Sequence, residues 1–267
     1  MKIGFIGVGA MAKAIIQGLL NAKTFMPADI VIHSAHTENY EPYAKANGLT
    51  AAKSNREVTE LSDLVVVAVV PELTRDVLRE VTEELHDGKK ILISIVAGIT
   101  LDDMESIVGY DFPILRTLPN INVEVGSGMT AIAYNDNLKG DDLIRSIGVF
   151  NALGETTKVP EDQFDVFSAL AGSSPAFIDL FIDSMSRAGV KYGFNKEQAT
   201  RIAAMATLGS AKMMLMSHKI PFDLIDQVSS PGGRTVKGIL AMQEYGLPTA
   251  VVKGIDATVG TEPEDKD

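Results

Sequence analysis

The feature that most constrains the fold is an alternation, in the first half of the chain, between short apolar β-branched runs and segments with helical periodicity. Several of the runs are apolar at consecutive positions, which is typical of strands buried on both faces of a sheet. Strands that alternate with helices form a parallel sheet with helices packed on it. The predicted strands cover residues 2–6, 30–33, 64–69, 91–95, 114–117 and 129–134.

The pattern changes near residues 151–160, and beyond this stretch no β-rich run is evident in the sequence. We therefore predict an α/β protein with a parallel-sheet domain over residues 1–159 and an all-helical domain over residues 160–260. The acidic end of the chain, residues 261–267, is expected to be a disordered tail. The predicted helices of the second half cover residues 161–170, 175–192, 196–218, 222–228 and 235–245.

The third of these helices carries a long apolar stripe. Ile202, Met205, Gly209, Met213 and Met216 recur at helical spacing, and the small residue allows a close helix contact. We expect the methionines to fill packing gaps. A small helical domain offers little surface to cover so apolar a helix, so we predict that the protein forms a homodimer.

Charge and composition exclude several function classes. A formal net charge of -11 argues against nucleic acid or an anionic membrane as a partner. The longest apolar runs are short for a membrane span, and the N-terminus has no secretory signal, so we expect a cytoplasmic protein. With no cysteine and four histidines without metal-ligand spacing, no metal site is predicted, and the histidines are expected to face solvent.

A glycine motif, Gly7-x-Gly9-x-x-Ala12, follows the first predicted strand and opens a helix. Gly7 allows a tight turn, Gly9 lets the backbone approach a pyrophosphate, and Ala12 lets the helix pack on the strand. The free N–H groups of the helix N-terminus favour phosphate binding. The motif predicts a Rossmann-type dinucleotide site with contacts from Ile6, Gly7, Gly9, Ala10 and Met11.

The residues after the second strand decide which dinucleotide binds. An acidic residue there would hold the ribose hydroxyls of NAD and repel a 2′-phosphate, but the chain has Ser34 and His36 and no acid before Glu38. The missing carboxylate favours NADPH, and the missing arginine leaves NADH as an alternative. Asn55 is interpreted either as a contact to the adenosine end of the cofactor or as an ordinary turn residue.

Ligands of open α/β sheets collect at the carboxyl ends of the strands. Val69 and Pro71 at the end of the third predicted strand, and Ala97 and Gly98 after the fourth, are therefore expected to line the nicotinamide half of the cofactor. Asn120 follows the fifth strand, and its role is open between structure and function.

Nearly the whole sequence resembles the pyrroline-5-carboxylate reductase family. The resemblance runs from "GFIGVGAMAKAIIQGL" through "AGIT", "LRTLPN", "GSSPAF" and "GSAKMML" to "DQVSSPGGRTVKGIL". It implies a Rossmann domain followed by a helical dimerisation domain, in dimers that often assemble into rings. It also implies hydride transfer from NADPH or NADH to C5 of the cyclic imine L-1-pyrroline-5-carboxylate, giving L-proline in the last step of proline biosynthesis.

The same resemblance implies roles for single residues. The loop at residues 229–235 would hold the substrate carboxylate on backbone N–H groups, and Thr235 would hydrogen-bond the ring nitrogen. The ribose-contacting asparagine of the family falls on Asn55, and a serine after the second strand falls on Ser34. The predicted catalytic residue is Thr235, and the predicted substrate-binding residues are Ser230, Gly232, Gly233, Arg234 and Thr235.

Physical reasoning supports an anion site in this loop. Gly232 and Gly233 permit conformations in which successive N–H groups converge on an anion, at the start of a helix predicted to begin near Thr235. On the residues alone Thr235 is also interpretable as a helix N-cap. Arg234 either faces solvent or attracts an anionic substrate to an acidic protein.

The sequence departs from the family at a few positions, and alternatives follow. Val70 replaces a usual lysine, and Ser174 and Phe177 replace a glycine and a tyrosine. The alternatives are a related cyclic-imine reductase, a β-hydroxyacid dehydrogenase or a non-catalytic NADP-binding regulator. The dehydrogenase needs a lysine within the first long helix of the second domain, where this chain has only Lys191 at the end, and the intact "PGGRT" loop argues against the regulator.

Overall fold

The computed structural model describes residues 1–259, so the predicted acidic tail lies outside the described residues. The chain divides into two compact units, residues 1–172 and a second unit that begins at Ser173. The first unit contains the sheet and the second is helical, which confirms the predicted fold class. Phe164 packs with Ala131 and Ala133 of the sheet, which is why the first unit extends past residue 159. A functional domain boundary near residue 159 stays a prediction.

The first unit is built on an eight-stranded sheet with the order β3-β2-β1-β4-β5-β6-β7-β8. Neighbouring strands are parallel, except that β6 and β7 are antiparallel. The order of the strands reverses between β1 and β4: β2 and β3 are added on one side of β1, and β4 and the later strands on the other. This switch opens a crevice at the carboxyl ends of β1 and β4. The strands are β1 (Ile3–Ile6), β2 (Ile30–His33), β3 (Thr50–Ala51), β4 (Leu64–Val67), β5 (Ile91–Ser94), β6 (Ile114–Pro119), β7 (Gly128–Tyr134) and β8 (Gly154–Lys158).

The central strands β1, β4 and β5 are buried on both faces, as their unbroken apolar runs predict. Phe5 packs in one core with α1, whereas the next residue, Ile6, packs in a second core with α4, because successive side chains alternate across the sheet. The helices of this unit are α1 (Ala10–Asn21), α2 (Thr37–Asn47), α3 (Asn55–Leu61), α4 (Pro71–Leu85), α5 (Leu101–Val108), α6 (Gly140–Asn151) and α7 (Phe164–Phe167).

Two strands escape prediction from the sequence. The strand β3 has only two residues, and β8 is a polar edge strand in the stretch where the apolar pattern breaks. Gly154 begins β8 because it approaches the neighbouring backbone closely: a Cβ there would lie 2.0 Å from the carbonyl oxygen of Gly128. The predicted third strand also ends earlier than expected, at Val67.

The second unit contains α8 (Ser174–Lys191), α9 (Lys196–Met216), α10 (Pro221–Gln227), α11 (Arg234–Glu244) and α12 (Leu247–Val259). The helices α8 and α9 form a close antiparallel pair, since Gly189 leaves room for Ala199 and the hydroxyls of Ser186 and Thr200 lie 2.8 Å apart. The sequence did not predict α12. The predicted helix 161–170 is instead a 3₁₀ turn, the short helix α7 and a π-helical stretch that runs to Ser173.

The apolar stripe of α9 lies on the surface of the single chain. Ile202, Met205, Met213 and Met216 are 51–74% exposed, so the expectation that the methionines fill gaps is not met within one copy of the chain. The helical stretch Glu161–Lys191 also has the length and composition of a membrane span, which is weak evidence because core helices pass the same test. Large exposed apolar faces mark interaction surfaces.

A buried ion pair ties the chain after β8 to the sheet. Arg116 on β6 is 6% exposed, and its Nη1 lies 2.5 Å from Oε1 of Glu161. The same carboxylate oxygen accepts a hydrogen bond of 3.0 Å from the backbone N–H of Leu101, and the guanidinium lies 4.1 Å from the ring centre of Phe164. The pair therefore joins β6, the start of α5 and the segment before α7.

Replacing Glu161 by alanine should destabilise the first unit by about 3 kcal/mol, the lower end of the range for a broken buried pair, because it leaves the Arg116 charge without its partner. The measurement is the free energy of unfolding in urea. Asp162→Ala, an exposed carboxylate in the same turn, is the matched control and should change stability by less than about 0.5 kcal/mol. Equal effects of the two substitutions would contradict the role of the pair.

Candidate active site

The two glycines of the turn after β1 have different roles. Gly7 has a φ of 98°, and a Cβ there would lie 2.5 Å from the carbonyl oxygen of Ala68, so the fold itself requires glycine. Gly9 has an ordinary φ of -77°, and a Cβ there would meet no described atom within 4 Å. Because the backbone does not require it, Gly9 is explained by space kept open for a ligand.

The N-terminus of α1 is suited to an anion. Gly9 occupies the N-cap position without a side-chain hydrogen bond, so Ala10 and Met11 present first-turn N–H groups at the end of the helix. Ala12 is buried against the sheet, as the motif predicts. A phosphate group fits this end of the helix, where both the N–H groups and the helix dipole favour negative charge.

The loops after β4 and β5 begin beside this turn. The N–H of Ala68 bonds to the carbonyl of Ile6 at 2.8 Å, and that of Ile95 bonds to Val67 at 3.1 Å, so the three strands end side by side. Beyond these ends, Pro71 begins α4 and Gly98 has a φ of 76° with open space where its Cβ would be. The predicted contacts Val69, Pro71, Ala97 and Gly98 therefore share one edge of the sheet with Gly7.

The end of β2 brings a histidine close to a carboxylate. Ser34 is half-buried, and His36 is the exposed N-cap residue of α2. Its Nδ1 lies 3.7 Å from Oε1 of Glu38, so the acid that follows in the sequence is close in space. Both side chains are at least 70% exposed, which makes this contact weak.

Asn55 begins α3 and is more than a turn residue. Its Oδ1 lies 2.8 Å from Nδ1 of His33, and its Nδ2 donates a 2.8 Å hydrogen bond to Oε2 of Glu80 on α4. The expectation that all four histidines face solvent is therefore wrong for His33, which is half-buried and stacks edge-on against Tyr40. Glu80 could not be identified from the sequence, because its contact with Asn55 arises only when α3 packs on α4.

Asn120 serves the structure. It is 6% exposed, its Nδ2 donates to the carbonyl of Ala171 at 3.0 Å, and its Oδ1 accepts from the N–H of Met129 at 3.1 Å. Both ends of the amide are engaged in holding the first unit together, which decides between the two roles left open by the sequence.

The loop at residues 228–235 lies in the second unit and ends at the N-terminus of α11. Gly232 has a φ of 71°, and the N–H of Gly233 bonds to the carbonyl of Ser230 at 2.9 Å. Gly233 is the N-cap residue and α11 begins at Arg234. The N-cap interpretation of Thr235 is therefore wrong, because Thr235 lies inside the first turn, where its side chain is exposed.

The sheet, the glycine turn and the phosphate-binding helix end define a Rossmann-type dinucleotide-binding protein with a helical second unit. A family described as "NADP oxidoreductase coenzyme F420-dependent" matches residues 2–98, and one described as "Pyrroline-5-carboxylate reductase dimerisation" matches residues 161–264.

Relatives cover the whole chain. Pyrroline-5-carboxylate reductase of Aquifex aeolicus is 38% identical over 97% of this chain and 95% of its own length, and that of Escherichia coli is 35% identical over 95% and 94%. The crystal structure of a Plasmodium falciparum pyrroline carboxylate reductase with NADP bound has a TM-score of 0.86 and 28% identity, covering 97% of this chain and 96% of that one. The chain belongs to the pyrroline-5-carboxylate reductase family.

Gly9→Ala should leave stability unchanged and weaken NADPH binding at least about tenfold, because the new methyl group displaces a charged phosphate from its N–H donors. Fluorescence titration with NADPH and a thermal melt measure the two effects.

Gly7→Ala is the comparison, since it should destabilise the fold by about 1–3 kcal/mol through its positive φ. A loss of stability in Gly9→Ala as large as that in Gly7→Ala would show that Gly9 is a structural glycine.

Proposed function

We propose that this protein reduces L-1-pyrroline-5-carboxylate to L-proline with hydride from NADPH, the last step of proline biosynthesis, and that NADH is an alternative donor. The observation that carries the proposal is the "PGGRT" loop, in which Gly232 has positive φ and Gly233 caps α11, within a chain 35–38% identical to named reductases. A second candidate function, a non-catalytic NADP-binding regulator, rests on Val70 in place of the usual lysine.

NADPH is proposed as the cofactor because an acidic ribose anchor is missing at the end of β2 and the Plasmodium falciparum relative has NADP bound. The pyrophosphate would lie at the N-terminus of α1, and the nicotinamide along the carboxyl ends of β4 and β5. The proposed cofactor-binding residues are Ile6, Gly7, Gly9, Ala10, Met11, Ser34, His36, Asn55, Val69, Pro71, Ala97 and Gly98. When bound, the cofactor supplies the hydride.

The substrate is proposed to bind the loop through its carboxylate. Backbone N–H groups around Ser230 and Gly232 and in the first turn of α11 would donate hydrogen bonds to the carboxylate, while Gly233 shapes the loop through its own N–H bond to the carbonyl of Ser230. Hydrogen bonds to a charged group contribute roughly 1.5–3 kcal/mol each. This anchoring fixes C5 of the ring for attack. Positioning of this kind can supply several kcal/mol of the barrier reduction.

Thr235 is proposed to bond the ring nitrogen. Hydride addition at C5 of the protonated imine converts the C=N double bond to a C–N single bond, and the nitrogen keeps its proton as the amine forms. The reaction therefore requires the protein to orient the ring, and it requires no proton transfer in the hydride step. The side chain of Thr235 is exposed in the first turn of α11, so its hydroxyl is accessible to a ligand.

The protein acts as a homo-oligomer, which its dimerisation region supports. We propose a dimer, assembled into a ring of dimers as the family resemblance implies, with the α9 stripe in the contact between copies. We also propose a cytoplasmic protein that binds neither nucleic acid nor membrane, because the net charge of -11 repels both polyanions and anionic lipid. The helical stretch Glu161–Lys191 then owes its apolar composition to contact with protein.

The test is the oxidation of NADPH and of NADH followed by absorbance with L-1-pyrroline-5-carboxylate as substrate. Turnover that releases proline, and that is faster with NADPH at equal concentration, is the expected result. NADPH binding without turnover would overturn the proposed reductase activity and favour the non-catalytic NADP-binding regulator. Turnover of a six-membered cyclic imine in place of pyrroline-5-carboxylate would correct the substrate.

Thr235→Ala should lower kcat/KM by about tenfold to a thousandfold, as loss of a positioned polar group does, with little change in stability. Steady-state kinetics and a thermal melt measure the two effects. Thr258→Ala, which removes another exposed helical hydroxyl, is the matched control. Wild-type kinetics in Thr235→Ala would remove this residue from the site.

Arg234→Ala should behave differently from Thr235→Ala. An exposed cation at the start of α11 attracts the anionic substrate over a distance, so its loss should raise KM, more at low salt than at high salt, while kcat stays the same. If the KM of Arg234→Ala equals that of the wild type at every ionic strength, this side chain faces solvent and has no role in attracting the substrate.

A further inference from the structure

The side chains of His33, Asn55 and Glu80 form a hydrogen-bonded chain that crosses three elements, β2, α3 and α4. We propose that His33 and Glu80 are positioning residues that hold the Asn55 amide for the adenosine ribose of the dinucleotide. The inference rests on the proposed function only in that Asn55 contacts this part of the cofactor.

The chemistry of the partners fixes how the amide points. A carboxylate accepts hydrogen bonds and does not donate them, so Glu80 must face the NH₂ group of Asn55. The carbonyl oxygen of Asn55 then faces His33, and Nδ1 of the ring must carry a proton to reach it. Flipping the amide would set an oxygen against the Glu80 carboxylate, so Glu80 excludes the flipped state and His33 follows with the tautomer that donates.

The His33 ring is packed in place, and Glu80, whose side chain is exposed, is carried by a packed helix. The ring of His33 stands edge-on to Tyr40 at 5.3 Å between ring centres, and the buried Tyr40 hydroxyl donates to the carbonyl of Ala52 at 2.8 Å. Glu80 lies on α4, whose buried face packs in the core under the sheet. A side chain held from two rigid elements loses little further rotamer freedom when a ligand binds.

The orientation leaves binding capacity on both sides of the amide. Asn55 uses one N–H and one lone pair on its protein partners, so one N–H and one lone pair remain for a ligand. A ribose hydroxyl both donates and accepts, which matches this remaining pair. The adjacent Ser34 also lies at the end of β2, so the hydroxyl and the amide are presented from neighbouring positions.

The first experiment measures the dissociation constant of NADPH by fluorescence titration of the full-length protein. His33→Ala and Glu80→Ala should each raise it about three- to tenfold, the effect of losing one positioning hydrogen bond. Glu80→Gln keeps an acceptor oxygen and should restore most of the affinity. Glu83→Ala, which removes an exposed carboxylate from the same helix, is the control and should bind NADPH like the wild type.

A double-mutant cycle separates positioning from general damage. If His33 and Glu80 act through Asn55, adding either substitution to Asn55→Ala should produce no further loss of affinity. Additive losses would overturn the proposal. Nitrogen NMR of the histidine rings supplies a second signature, because His33 should carry its proton on Nδ1, and a ring with unprotonated Nδ1 would also overturn it.

The two proposals fail in different ways. If the protein does not turn over pyrroline-5-carboxylate, the proposed reductase activity is wrong, but the NADPH titrations can still confirm the positioning role of His33 and Glu80. If turnover is normal and the NADPH affinity of His33→Ala and Glu80→Ala is unchanged, the positioning role is wrong and the proposed reductase activity stands.

Discussion

The pairing of β1 with β4 is the constraint on which the rest of the first unit depends. The two strands are parallel neighbours although α1, β2, α2, β3 and α3 separate them in sequence, so their contact sets the crevice at which the sheet order reverses. Both strands are buried on both faces, and the backbone of Gly7 passes so close to Ala68 that no side chain fits between them. The phosphate-binding end of α1 owes its place to this contact.

The parts of the fold that follow from local sequence were predictable. Consecutive apolar residues marked the buried strands, and the glycine motif marked the start of α1. The strand β8 was not predictable, because its pairing depends on Gly154 approaching Gly128 across the edge of the sheet, and its own side chains are polar. The antiparallel pairing of β6 with β7 was missed for a different reason, since hydrophobic periodicity carries no information on strand direction.

The candidate site shows the same division. Residues adjacent to strand ends, such as Pro71 and Gly98, could be chosen from the sequence because their position follows from the topology of the sheet. Glu80 could not, since it meets Asn55 only through the packing of α3 against α4. Thr235 shows a finer limit of the sequence, because the N-cap residue of α11 is Gly233, two residues before Thr235, and so small a difference decides whether the Thr235 hydroxyl caps the helix.

The exposed stripe on α9 gives the second unit an unusual thermodynamic character. With the α9 stripe in the proposed contact between copies, association buries an apolar face that the single chain exposes, so the stability of this unit depends on protein concentration. Dilution would then favour unfolding of this unit, whereas the sheet unit has two cores of its own. The amount of the protein in the cell would in that case set how much of the helical unit is folded.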